Sequence, residues 1–146
     1  MLSKQIVGTW EVITRIDRTK DGREVDEPSL GRDPVALIMF DTNGRFSAQF
    51  MKRSATAIAA APVSSHGAPN NTRAVGGYDA YFGSYKVDDD KGLVTVTLAG
   101  ALSRENVGMV LGREMAVEGD QLVIRVPTAT AEGVAVLRTL TCKRAS

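Results

Sequence analysis

A period-two rhythm of apolar side chains, broken at short intervals by turn residues, constrains this chain more than any other feature. In "TWEVITRI" (residues 9–16), alternation places Trp10, Val12, Thr14 and Ile16 on one face, with Glu11 and Arg15 on the other. "VALIMF" (35–40) is a short apolar run ending at the turn "DTNG" (41–44). "RFSAQFM" (45–51) then sets Phe46, Ala48 and Phe50 on one face, so the two runs form a hairpin. "YFGSYKV" (81–87) passes through "DDDKG" (88–92) into "LVTVTLA" (93–99), a second hairpin. "VGMVLGREMAV" (107–117) turns at "EGD" (118–120) into "QLVIRV" (121–126), and "GVAVLRTLTCKR" (133–144) closes the series. About eight strands at this spacing predict an all-β antiparallel sandwich or barrel.

Two stretches interrupt the rhythm. Residues 52–80 are rich in Ala, Ser, Pro, Asn and Gly; "ATAIAAA" suits a short helix before Pro62, and the remainder reads as loop. A connection this long inside a compact domain is commonly a lid, a binding loop or a mobile segment. In residues 17–33, "REV" suits a short extra strand. At 146 residues, with no internal repeat, the chain reads as one domain over 1–146.

Composition removes several function classes. Eighteen basic against 17 acidic residues leave no basic field for nucleic acid or anionic lipid. The lone Cys142 excludes an internal disulfide and fits a reducing compartment. "MLSKQIVGTW" lacks the apolar core of a secretory signal, and no apolar run approaches a spanning helix, so a soluble, cytoplasmic protein is expected. One histidine, His66, and one cysteine cannot build a His- or Cys-rich metal site. "GGYDAYFG" (76–83) lacks the Lys-Ser/Thr of a phosphate loop, and no Gly-x-Ser-x-Gly elbow occurs. Hydride transfer, metal hydrolysis and phosphoryl transfer therefore rank low, and neither metal nor cofactor is expected.

Residues spread along the chain then narrow the fold. "GTW" (8–10) matches the Gly-x-Trp signature of lipocalin and wider calycin barrels. Beyond it, "LSKQIVGTWEVI", "DTNGRFSAQFM", "YDAYFGSYKVDDDKGLVTVTLAG", "VEGDQLVI" and "LTCKR" follow in order the segments of the bacterial lipocalin-like domain family, which the chain resembles over most of its length. The resemblance implies a closed up-and-down antiparallel barrel of about eight to ten strands. It implies a structural role for Trp10 and Arg144, the arginine packing across the indole as in calycins; Arg138, six residues earlier on the same side, competes for that place. The chain also departs from the pattern. Val96 and Thr97 stand where relatives often carry a His-His pair, and Asn106 and Cys142 stand where they often carry Trp. If these positions line the cavity, its chemistry differs from that of relatives.

An eight-stranded barrel holds side chains or one small ligand. On residues 107–117 one face reads Val107, Met109, Leu111, Arg113, Met115, Val117, which points Arg113 toward an apolar interior. There it requires a structural ion pair, a place at the rim, or a ligand carboxylate or enolate. Tyr81 and Tyr85 share a face and either pack or offer hydroxyls to a carbonyl. Met109, Leu111, Met115, Phe50 and Val96 are the expected apolar contacts. Arg45 and Gln49 enter the cavity only if Phe46 and Phe50 face outward, in which case that phenylalanine face would suit a homodimer. His66 is surface, or a titrating group over the mouth if its segment folds there. Arg113 and Tyr81 are the candidates for catalysis. The expected partner is a small, mostly apolar molecule. A passive carrier, a cofactor-independent isomerase, cyclase or hydratase, and a filled structural barrel all fit such a fold.

Overall fold

The computed structural model describes residues 1–53 and 70–145, and over these the period-two stretches do become strands. They are β1 (Gly8–Arg18), β2 (Glu24–Val25), β3 (Val35–Phe40), β4 (Arg45–Met51) and β5 (Tyr78–Asp88), then β6 (Leu93–Ala101), β7 (Val110–Glu118), β8 (Gln121–Ala129) and β9 (Ala135–Arg144). Each strand from β3 onward pairs antiparallel with the next, and β1 pairs with both β3 and β9. That last pairing closes an eight-stranded barrel, so its edges are satisfied by one another. Short β2 attaches to the far end of β1 through Asp17↔Val25 and Arg18↔Glu24. The sandwich alternative is thereby excluded. Among the described residues helix is confined to one turn at Leu2–Gln5 and a 3-10 turn at Arg104–Asn106, and no helix there is long and apolar enough to cross a membrane.

One end of the barrel is stoppered. Trp10 is fully buried, and its indole N–H donates to the Ile6 carbonyl at 2.8 Å. The Arg144 guanidinium lies 4.1 Å from the indole centroid and donates to the Val7 and Gln5 carbonyls at 2.9 and 2.7 Å. A cation over an aromatic face thus also satisfies carbonyls that the helical turn leaves open. Gly8 permits this approach: its φ is +131°, and a Cβ there would sit 2.7 Å from Arg144 Nη1. Arg138 takes no part; it pairs with Asp17 instead.

Two expectations about which faces point inward are corrected. Phe46, Ala48 and Phe50 are buried inside the barrel, while Arg45 and Gln49 are exposed. Arg45 and Gln49 therefore do not enter the cavity, and Phe46 and Phe50 do not form an outward face. The second correction concerns β1. Opposite β9 the register runs Val12↔Cys142 and then Thr14↔Thr141, leaving Ile13 unpaired in a β-bulge. Beyond the bulge the alternation changes phase, so Arg15 and Asp17 face the interior, not Thr14 and Ile16. The "ATAIAAA" helix and His66 lie outside the described residues.

Candidate functional site

An internal cavity of about 60 Å³ occupies the barrel between the Trp10 plug and the opposite end. Apolar side chains form part of its wall: Phe40, Phe46, Phe50, Met115, Ile124 and Leu140 contribute, with Val96. The rest is polar, formed by Arg15, Arg113, Arg138, Tyr81, Asp79 and Thr72. The two kinds of residue interleave along the strands: Phe50 lies opposite Asp79 and Leu140 opposite Arg15.

Three guanidiniums are buried here, and they differ in their partners. Arg138 makes a two-point pair with Asp17, from Nε to Oδ1 at 2.8 Å and from Nη2 to Oδ2 at 3.0 Å, and donates to Asn71 Oδ1 at 3.1 Å. Arg15 pairs with Glu27 at 3.0 Å. Burial pushes the Glu27 carboxyl up, but the Arg15 charge and hydrogen bonds from Ser29 outweigh it and hold the carboxyl below its ordinary value. Arg113 has no carboxylate partner among the described residues. Its Nη1 donates to the Asn70 carbonyl at 2.8 Å and the Gly112 carbonyl at 3.1 Å, and the Tyr81 phenol lines the same cavity wall, close enough for the two to influence each other's ionisation. The Asn70 amide fixes this arrangement by accepting from Gly112 N–H at 2.8 Å and donating to Gly112 O at 2.7 Å. Burial lowers the pKa of Arg113 and raises that of Tyr81, since each loses hydration of its charged form.

Asp79 is the remaining buried carboxyl. Oδ2 accepts from the Thr72 hydroxyl at 2.5 Å, and Oδ1 from the Ala80 N–H at 2.9 Å. Burial pushes its pKa up to about 6 despite both bonds. It stands two residues before Tyr81 on β5, hence on the same inward face.

Of the residues singled out from sequence, Arg113, Tyr81, Met115, Phe50 and Val96 line the cavity together. Met109 and Leu111 belong to the core but not to the cavity wall. Tyr85 is also off the wall: its ring meets Phe40 edge-on at 5.0 Å, and its hydroxyl donates to the Asp41 carbonyl at the plugged end. Arg15, Asp17, Asp79 and Arg138 were missed as site residues. Arg138 was recoverable, because Val136, Arg138, Leu140 and Cys142 alternate in "GVAVLRTLTC". Asn106 is buried and accepts from Arg73 N–H at 2.9 Å; Cys142 is a buried core residue whose thiol burial pushes up to about 12.

A closed antiparallel barrel, plugged by a Gly-x-Trp tryptophan under an arginine and hollow above it, defines a lipocalin-type barrel. The model of the lipocalin-like domain family matches residues 7–145, and the chain belongs to that family. No curated protein matches the chain. Membership suggests small-molecule binding.

Proposed function

We propose that the barrel binds a compact, mostly apolar organic molecule whose carboxylate or enolate-type oxygen is held by Arg113 and Tyr81. The observation that carries this reading is the buried Arg113 guanidinium. Its two neighbours, Arg15 and Arg138, are each matched to a carboxylate, whereas among the described residues Arg113 has backbone carbonyls and the nearby Tyr81 phenol but no carboxylate. An uncompensated buried cation costs several kcal/mol, a cost that a ligand anion removes. The cavity sets the size. An apolar cavity of about 150 Å³ takes up benzene, so one of about 60 Å³ admits a few heavy atoms unless its walls move.

Native mass spectrometry of freshly purified protein, repeated on Arg113→Met, tests the reading. A charge-assisted hydrogen bond contributes roughly 1.5–3 kcal/mol, so the variant should bind a retained acid or carbonyl compound about 10- to 100-fold more weakly. Equal retention by both proteins would overturn the assignment of Arg113. A second reading, a cofactor-independent isomerase, cyclase or hydratase, is favoured by one further group in the cavity, the buried carboxyl of Asp79.

A further inference from the structure

The charges around the cavity do not pair off completely. Arg138 takes Asp17 and Arg15 takes Glu27, which leaves one guanidinium, Arg113, and one carboxyl, Asp79. Both wall the same cavity, yet no salt bridge joins them among the described residues. Tyr81 lines the same cavity, interacts electrostatically with both Arg113 and Asp79, and follows Asp79 by two positions on β5. At about 3.3 Å of rise per residue, the Asp79 and Tyr81 side chains emerge roughly 7 Å apart along the strand. That separation leaves room for a small guest with one end at the phenol and guanidinium and its neighbouring carbon near the carboxyl.

We propose that Asp79 transfers a proton to and from the carbon beside a carbonyl group whose oxygen is held by Tyr81 and Arg113, making the barrel a cofactor-independent enolising isomerase. This rests on the ligand reading above and adds to it the reaction and the substrate class, a small carbonyl compound with an acidic C–H. The step balances without any co-reactant. The Asp79 carboxylate takes the proton; the C–H electron pair becomes a C=C bond, and the carbonyl π pair moves onto oxygen. The enolate oxygen is held by hydrogen bonds from Arg113 and Tyr81, the first buried and the second half-buried against the core, where such donors act more strongly than in water. The neutral acid then returns the proton to the same carbon, or to the far end of a conjugated system, which shifts the double bond.

Three observations equip Asp79 for this. Thr72 and Ala80 fix its orientation with one hydrogen bond to each oxygen, and a carboxylate has about four acceptor positions, so each oxygen retains one for the substrate. It lies in a cavity walled also by apolar side chains, with Phe50 directly opposite it, against which the carbon skeleton of a carbon acid can pack. Its affinity for a proton lies near neutrality, the condition under which a carboxyl both takes up and gives back a proton efficiently.

The test uses two four-carbon probes, butanone and 2-oxobutanoate, in D2O. Proton NMR follows loss of the signals beside the carbonyl, and saturation transfer in the same tube reports binding. The wild type should bind at least one probe and exchange its protons at least 100-fold faster than buffer. Asp79→Asn should bind within about threefold and lose the exchange by roughly 10²–10⁴-fold, the usual contribution of a general base. Exchange should rise with pH through about 6, where Asp79 ionises. The other titratable and charged groups around the cavity are Arg15 and Asp17 on β1, Glu27 beside Arg15, Tyr81 on β5, Arg113 on β7 and Arg138 on β9. Thr72→Val removes a hydrogen bond to the ionised carboxylate, so it should move that midpoint upward while leaving a folded protein. Binding without exchange in the wild type, or full exchange in Asp79→Asn, overturns the role of Asp79 and leaves the binding reading standing. Failure of the wild type to bind either probe, with no small molecule retained on purification, overturns both.

Discussion

Asp79→Asn should make the protein more stable at neutral pH, and the gain should disappear in acid. The carboxyl moves from about 3.8 in an open chain to about 6 when folded, chiefly through burial. Between these values the folded state holds more protons than the unfolded state, so stability falls as pH rises through this window and stays lowered above it. A difference of about 2 units corresponds to roughly 3 kcal/mol at pH 7.5, but only about 0.5 kcal/mol at pH 4. Asparagine is close in shape and has no charge to desolvate. Its carbonyl can keep the Ala80 N–H, while its amide would face Thr72 and force that hydroxyl to turn, a loss of about 1 kcal/mol. The variant should therefore gain about 2 kcal/mol at pH 7.5, a rise of roughly 5 °C in Tm. At pH 4 it should be no more stable than the wild type. Urea titrations at both pH values settle this, with Trp10, the sole and fully buried tryptophan, as the fluorescent reporter. A stability gap that is the same at both pH values would refute the reasoning, as would a variant weaker than the wild type at pH 7.5. A gain would also show stability given up to keep an ionisable group in the cavity, as binding and catalytic sites often do.

Gly8→Ala places a methyl 2.7 Å from Arg144 Nη1 at a φ of +131°, so the guanidinium should leave the indole. A loss of about 2 kcal/mol and a red shift of Trp10 emission are expected; an unchanged spectrum would show that the plug does not depend on this contact. Asp17→Leu strands the buried Arg138 and should cost about 3–5 kcal/mol, whereas adding Arg138→Met should restore most of it. Denaturant melts of the single and double variants measure both terms, and a double variant as weak as the single one would contradict a purely electrostatic penalty.

The lower half of this barrel could be read from sequence because each hairpin there obeys a local rule. Asp41 accepts from the Asn43 and Arg45 N–H groups at 2.8 Å, as its turn signal implies, and the strands it joins keep unbroken alternation from Val35 to Met51. Arg113 could be read for the same reason, since Leu111, Arg113 and Met115 alternate on a straight stretch of β7. The polar part of the cavity wall resisted because it depends on pairings between distant segments. Asp17 and Arg138 lie 121 positions apart. Asp79 precedes the run that looked like a strand, and it becomes part of one because β4 pairs with it through Phe50. The bulge at Ile13 carries no glycine or proline to announce it; it exists because β1 must serve β3 at one end and β9 at the other. Without that one extra residue Thr14 and Ile16 would face inward in place of Arg15 and Asp17, and the buried Arg138 would lose its carboxylate partner. Arg113, Tyr81 and Asp79 would still line the cavity from β7 and β5, so the bulge supplies the charge that balances Arg138, a contribution that arises only once the sheet has closed.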